Sequence, residues 1–189
     1  MDTKPFMKNF FETYYKKLLA EYDGAVTLPD VPEEMWADGA DPKAEWKRWK
    51  LIPANICDED IALLEKELGL VLPKVVKDFL TTYYHLFDDP IGRNPVDEPF
   101  EGLKNAWNPL LVRAGYLPFA WDKNAAYIRC IDLENMPDEA HCPIYEIDHE
   151  ILFEFDQDAE NARDEIKTEM KPVADSFTEY LKALLEDKE

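Results

Sequence analysis

The chain has 189 residues, 46% of them hydrophobic, and sets 41 acidic side chains against 21 basic ones for a formal charge of −20. That length and apolar content suit one folded domain with a real core. The charge argues against a phosphate backbone or an anionic bilayer as the main partner and favours a cationic one, although it would also serve solubility alone. Cys57, Cys130 and Cys142 form no CxxC pair, and three cysteines cannot all be consumed by internal disulfides, so a reducing cytoplasm is the simplest expected location. The first 22 residues alternate apolar and charged side chains without the apolar run or small-residue site of a signal peptide. No stretch approaches the roughly 18 apolar residues a membrane span needs, so a soluble protein is expected.

From Pro5 to Tyr22 apolar residues recur every four positions in two adjacent rows, Phe6, Phe10, Tyr14, Leu18 and Met7, Phe11, Tyr15, Leu19, with Gly24 following as a stop. This spacing predicts an amphipathic helix whose wide aromatic face packs on the core. Residues 25–43 hold Pro29, Pro32, Gly39 and Pro42 among many acids and read as a loop, and "EWKRWKLIPA" reads as a short strand ending at Pro53. Residues 1–44 are thus an expected helix and acidic linker appended to a core of residues 45–189, within a single globular domain. The helix is expected either to cover a sheet edge or to mediate dimerisation, which leaves monomer and homodimer both open.

The segment "ICDEDIALLEKELGLVLPKVVKDFL" predicts two short helices. Asp58 is the expected N-cap of the first, Ile61, Leu64 and Leu68 share its apolar face, and Gly69 supplies the left-handed residue that ends it. Pro73 presets the first turn of the second, whose apolar face is Val76, Phe79, Leu80 and Tyr83, with Glu65 and Asp78 expected at the surface or in caps. Residues 88–107 contain Pro90, Gly92, Pro95, Pro99 and Gly102 and read as a long loop, a common place for function. Three strand-like runs follow, "GYLPFAWD", "AAYIRCIDL" and "PIYEIDH", the first two joined by a "DKNA" turn and the third expected to pair with "ILFEF". Val173, Phe177, Leu181 and Leu184 mark a final amphipathic helix starting near Pro172. The order implies an α+β fold with a mainly antiparallel, twisted sheet packed with an N-terminal helical hairpin and a C-terminal helix.

Signals for catalysis are weak. His85, His141 and His149 sit in no nucleophile motif, and "HCP" at His141 and Cys142 is one zinc-like pair without a second. "DQDAENARDEIK" from Asp156 resembles a calcium loop, but Asn161 stands where the turn glycine belongs and Lys167 where the bidentate glutamate belongs. No Gly-rich phosphate cradle is present. In so acidic a chain a pair such as Asp148 and Glu150 carries no specificity for acid/base work. No catalytic residue, metal or cofactor is therefore expected. What stands out is charge distribution: residues 131–165 carry thirteen acids and one base, Arg163, and so twelve of the twenty excess negative charges. Trp107, and Trp121 beside Asp122, lie near this acidity in the chain as either contact residues or core.

Ile61, Leu64, Glu65, Leu68, Gly69, Leu72, Pro73, Phe79 and Leu80 together resemble the SUKH signature I-x-x-L-E-x-x-L-G-x-x-L-P-x-x-x-x-x-F-L. "YLPFAWDKNAAYIRCIDL", "CPIYEIDHE" and "VADSFTEYLKALL" resemble that family's later strands and closing helix, in the family's order. The chain departs where it reads "TTYYHLFDDP" in place of an Asn-Gly pair. The resemblance implies a framework role for Glu65, Gly69, Pro73, Phe79 and Phe177, and a function by binding. Bacterial SUKH proteins include immunity proteins that neutralise toxins, often nucleases, and fungal relatives regulate cell-wall synthesis.

These observations lead to the expectation of a non-enzymatic, cytoplasmic immunity protein that occludes a basic toxin domain, with no direct contact to nucleic acid or membrane. The expected contact residues are Asp88, Asp89, Asp97, Glu98 and Glu101, then Asp148, Glu150, Asp156 and Asp158, with Trp107 as an anchor. A regulator or scaffold in cell-wall or glucan synthesis is the alternative, and a hydrolase using scattered carboxylates a distant third.

Overall fold

The computed structural model describes residues 2–21, 23–88, 90–155 and 162–186. In chain order they form α1 (Lys4–Glu21), β1 (Thr27–Leu28), β2 (Lys47–Arg48), β3 (Ile52–Pro53), α2 (Asp58–Leu68), α3 (Lys74–Leu80) and β4 (Tyr83–Tyr84). Next come α4 (Glu101–Ala106), α5 (Pro109–Arg113), β5 (Tyr116–Trp121), β6 (Tyr127–Asp132), β7 (Ile144–Asp148), α6 (Ala162–Glu169), β8 (Lys171–Ala174) and α7 (Phe177–Leu185). The fold is α+β. An antiparallel sheet in the order β5-β6-β7-β8 forms its centre, and β1/β2 and β3/β4 are small antiparallel ribbons.

The sheet is covered on both faces, which explains why β5 is almost continuously apolar instead of alternating. Leu117, Phe119, Ile131 and Ile144 enter the main core beneath α1, α2, α3 and α7. Tyr116, Ile128, Cys130 and Ile147 point the other way, into a second core closed by Leu110 and Leu111 of α5, by Leu152 of the turn after β7 and by Ile166 of α6. This second layer is the part of the architecture that the hydrophobic pattern did not announce.

The wide face of α1 is used within the chain. Met7, Phe10 and Phe11 are fully buried, and Phe11 packs within 4.9 Å of both Phe79 and His85, measured between ring centroids. The helix lies against α3 and α7, and Lys17 donates to the carbonyls of Leu184 and Leu185 at 3.1 Å each.

Around the helical hairpin, Gly69 adopts the left-handed conformation (φ 72°) and ends α2. The Glu65 carboxylate accepts from the Leu72 N–H at 2.8 Å and pairs with Lys77 at 2.7 Å, fastening α2 to α3. Phe79 bridges Phe11 and Phe177, and Phe177 in turn meets Phe119.

Several local expectations are corrected. The N-cap of α2 is Cys57, not Asp58, because the carboxylate of Asp60 reaches back to the Cys57 N–H at 2.9 Å. Pro73 caps α3 from outside it, and Tyr83 lies in β4. Asp78 is buried, not superficial: it accepts from Thr3 and Lys74, both at 2.5 Å, and so ties the chain's start to α3. Residues 25–43 are not wholly loop, since β1 pairs there with β2. The run around Lys47 to Pro53 is two short strands in different ribbons. "ILFEF" does not pair with β7. Asp148 accepts the Glu150 N–H at 2.9 Å and starts a single 3-10 turn, Glu150–Phe153, which drops Leu152 into the second core. The partner of β7 is β8, where Pro172 sits in an edge strand that tolerates its missing N–H. The last helix starts at Phe177, with Ser176 as N-cap accepting from the Glu179 N–H at 3.1 Å.

Candidate protein-binding cleft

Residues 90–107 are anchored, and α4 within them is a further correction to the loop reading. The buried Asn94 amide donates to the carbonyls of Leu80 and Tyr83 at 3.0 and 3.1 Å, and its oxygen accepts from the Phe100 N–H at 2.8 Å. Gly102 donates to Arg93 O at 2.7 Å, and a Cβ there would lie 2.5 Å from the backbone of Gly92. Only glycine permits this crossing, which sets the direction of α4. The chain then leaves α4 at Trp107, and Asn108 caps α5 by accepting the N–H groups of Leu110 and Leu111. Trp107 is therefore held between two helix ends, 42% exposed, with its indole N–H directed at Leu68 O (3.4 Å).

The facing wall is Trp121, at the end of β5, and the turn after β7. Trp121 donates to Asn105 O at 3.3 Å and meets His149 edge-on, ring centroids 5.4 Å apart. His149 Nδ1 lies 3.0 Å from Ala126 O. Because a carbonyl only accepts, Nδ1 carries the proton, and Nε2 of the neutral ring is left as an acceptor. Phe153, 85% exposed, closes the outer end. Trp107, Trp121, His149 and Phe153 thus line a cleft of about 180 Å³ above Leu110 and Leu152 of the second core. Glu67, Leu68 and Lys104 form a second hollow on the far side of Trp107.

Three residues expected at the contact surface converge here from distant parts of the chain: Trp107 lines the cleft, and Asp148 and Glu150 flank His149. Glu101 stands in the first turn of α4, six residues or about 9 Å of helix rise before Trp107. Asp97 and Glu98 are exposed ahead of that helix. Asp88 is exposed but paired with Arg93 at 3.2 Å. Asp89, Asp156 and Asp158 lie outside the described residues. His149 and Phe153 were missed. The available signal for Phe153 was an aromatic residue in an acidic run, but it was absorbed into a strand assignment.

The acidic block divides into two kinds of carboxylate. Arg163 binds Asp132 at 2.9 Å and Glu134 at 2.7 Å, donates to Ala114 O, and lies over the Tyr116 ring at 5.0 Å. Burial pushes the Asp132 carboxyl up, but hydrogen bonds from Asn135 and Arg163 outweigh it and hold the group below its ordinary value. Burial, helped by Asp132, pushes the Tyr116 hydroxyl up to about 12. Glu146 pairs with Arg129 at 2.7 Å, and Asp138 with His141 at 2.9 Å. Asp148, Glu150 and Glu154, by contrast, pair with no basic side chain among the described residues.

The remaining chemistry-bearing residues are dispersed. Cys130 and Cys142 are buried free thiols, and burial raises Cys142 to about 12. His85 is fully buried among Phe11, Phe79 and Phe87, with neither ring nitrogen hydrogen-bonded. Among the described residues no group of three or more His, Cys, Asp or Glu is arranged to hold a metal ion, and no helix is long and apolar enough to cross a membrane.

Residues 55–183 match the SMI1 / KNR4 family (SUKH-1), from just before α2 into α7. The chain belongs to that family. Family members are generally non-catalytic immunity proteins or regulators. No curated protein matches the chain. The match includes Trp107, Trp121, His149 and Phe153, so the cleft lies within the family domain, while α1 precedes it.

Proposed function

We propose that this protein is a non-enzymatic, cytoplasmic immunity protein that neutralises a basic toxin domain, a nuclease by preference, by covering its active surface. The observation that carries this reading is the aromatic cleft, two of whose lining residues, His149 and Phe153, are flanked in the chain by Asp148, Glu150 and Glu154, carboxylates that pair with no basic side chain among the described residues. Partly exposed tryptophans supply contact area at little entropic cost, and a rim of one sign steers a partner of the other. A nuclease domain must hold phosphates and is therefore basic where it acts, so an acidic inhibitor competes for that surface. Glu65, Gly69, Pro73, Phe79 and Phe177 serve the framework, and the contact surface extends from the cleft towards Asp97, Glu98 and Glu101.

The test is co-production with the C-terminal toxin domain encoded beside this chain. The reading expects growth to be restored and a complex to form whose affinity falls with salt. Growth arrest without a complex, or the absence of any such neighbour, would reject it and direct the search to cell-wall partners.

A further inference from the structure

We propose that the cleft between Trp107 and Trp121 receives one arginine side chain of the partner protein. This deepens the immunity reading and rests on it for the partner's identity, while the chemistry of the cleft is testable alone. The chain binds its own arginines in this manner twice. Arg163 lies over Tyr116 with Asp132 and Glu134 at its edges, and Arg129 lies 5.8 Å from the Tyr180 ring centroid with Glu146 at 2.7 Å. In both places an aromatic face and a carboxylate serve the planar guanidinium together.

The cleft repeats that set. Trp107, Trp121 and Phe153 line it, the His149 tautomer leaves an acceptor at Nε2, and Asp148 and Glu150 stand on either side of His149 in the chain. Among the described residues, no arginine or lysine lines it. A volume of about 180 Å³ is below the roughly 300–1,000 Å³ of small-molecule sites and suits a single long side chain. Arginine fits better than lysine because a guanidinium stacks on indole and donates in several directions, whereas an ammonium is a strongly hydrated point charge. A purely apolar plug would use the rings and leave the acceptor and the rim without a role.

Titration of the full chain with acetyl-arginine amide, followed through the tryptophan indole N–H resonances, tests this, with acetyl-lysine amide and acetyl-citrulline amide as comparators. The expected result is saturable, millimolar binding that moves Trp107 and Trp121 but not the distant exposed Trp46, at least threefold tighter for arginine than for lysine and undetectable for citrulline. Trp107→Leu should abolish it. Asp148→Asn with Glu150→Gln, which leaves the rings in place, should weaken it at least threefold. Equal response to citrulline, equal movement of Trp46, or binding that survives both variants would overturn the proposal. Failure here with intact toxin neutralisation removes the arginine site alone. Arginine binding without neutralisation removes the immunity reading alone.

Discussion

The two ends of the acidic segment use the same side chains for opposite purposes. At the β6 end, Asp132 and Glu134 are consumed by Arg163, which is itself bonded to Ala114 O and stacked on Tyr116. At the turn after β7, Asp148, Glu150 and Glu154 flank the cleft-lining His149 and Phe153 in the chain and have no described basic partner. The first group closes the second core, and the second projects charge. A count of acids along the chain cannot distinguish them, because the one basic residue that decides the matter, Arg163, follows Asp132 by 31 residues.

Breaking the locked end should give the largest effect on stability. Arg163→Met leaves the Asp132 carboxylate, 5% exposed, without its cation, and a buried pair deprived of one partner costs about 3 kcal/mol or more. Urea denaturation should show a correspondingly lower midpoint with an unchanged slope.

Acid separates the contributions further. Burial lowers the His85 pKa from 6.5 to about 3. The unfolded chain therefore takes up a proton that the folded one refuses, so this stability is complete above pH 6.5 and is lost progressively as the pH falls towards 3. The slope is about 1.4 kcal/mol per pH unit for one proton. His85→Phe keeps an aromatic ring at the site, one larger than imidazole, and removes both unsatisfied nitrogens. It should flatten the stability profile between pH 6.5 and 4.5, leaving the loss below pH 4 that belongs to carboxyls held below their ordinary values, Asp132, Asp78 and Asp122 among them. Thermal melts across that range measure both parts.

A smaller lesion at the same locked end is Gly115→Ala. Gly115 has φ 80°, and a Cβ would come within 2.7 Å of Glu134 and 2.8 Å of Arg163. The left-handed conformation alone costs a non-glycine residue about 1–2 kcal/mol, and the lowered melting temperature should be partly recovered by Glu134→Ala.

The smallest effect on stability belongs to the cleft. Asp148→Lys with Glu150→Lys changes exposed or half-exposed side chains but removes the carboxylate that accepts the Glu150 N–H, and should cost about 1 kcal/mol, while strongly slowing association with a basic partner. A collapse of the fold in this variant would show that the two ends are not different in kind.

Much of the scaffold was legible in the sequence. The helical hairpin follows from apolar residues three and four apart with Gly69 between the helices, and three of the four sheet strands from β-branched and aromatic runs bounded by turn residues. β8 was not legible. Four residues beginning Lys171-Pro172 look like a helix start, and only pairing with β7 makes them a strand. Nor was α4, because its orientation depends on two glycines meeting backbone to backbone and on the Asn94 hydrogen bonds, none of which has local periodicity. The cleft was legible in pieces. Trp107, Asp148 and Glu150 could be picked out for residue type, but their convergence depends on that helix and on a 3-10 turn read as a strand.

The most direct test of the account is the association rate with a basic toxin domain of the kind the proposal calls for, measured at low and moderate salt for the native chain and for Asp148→Lys with Glu150→Lys. The account predicts a native rate that falls at least about tenfold as salt screens the rim, and a variant that is slow at both ionic strengths while remaining folded. Equal rates for the two proteins, insensitive to salt, would contradict it.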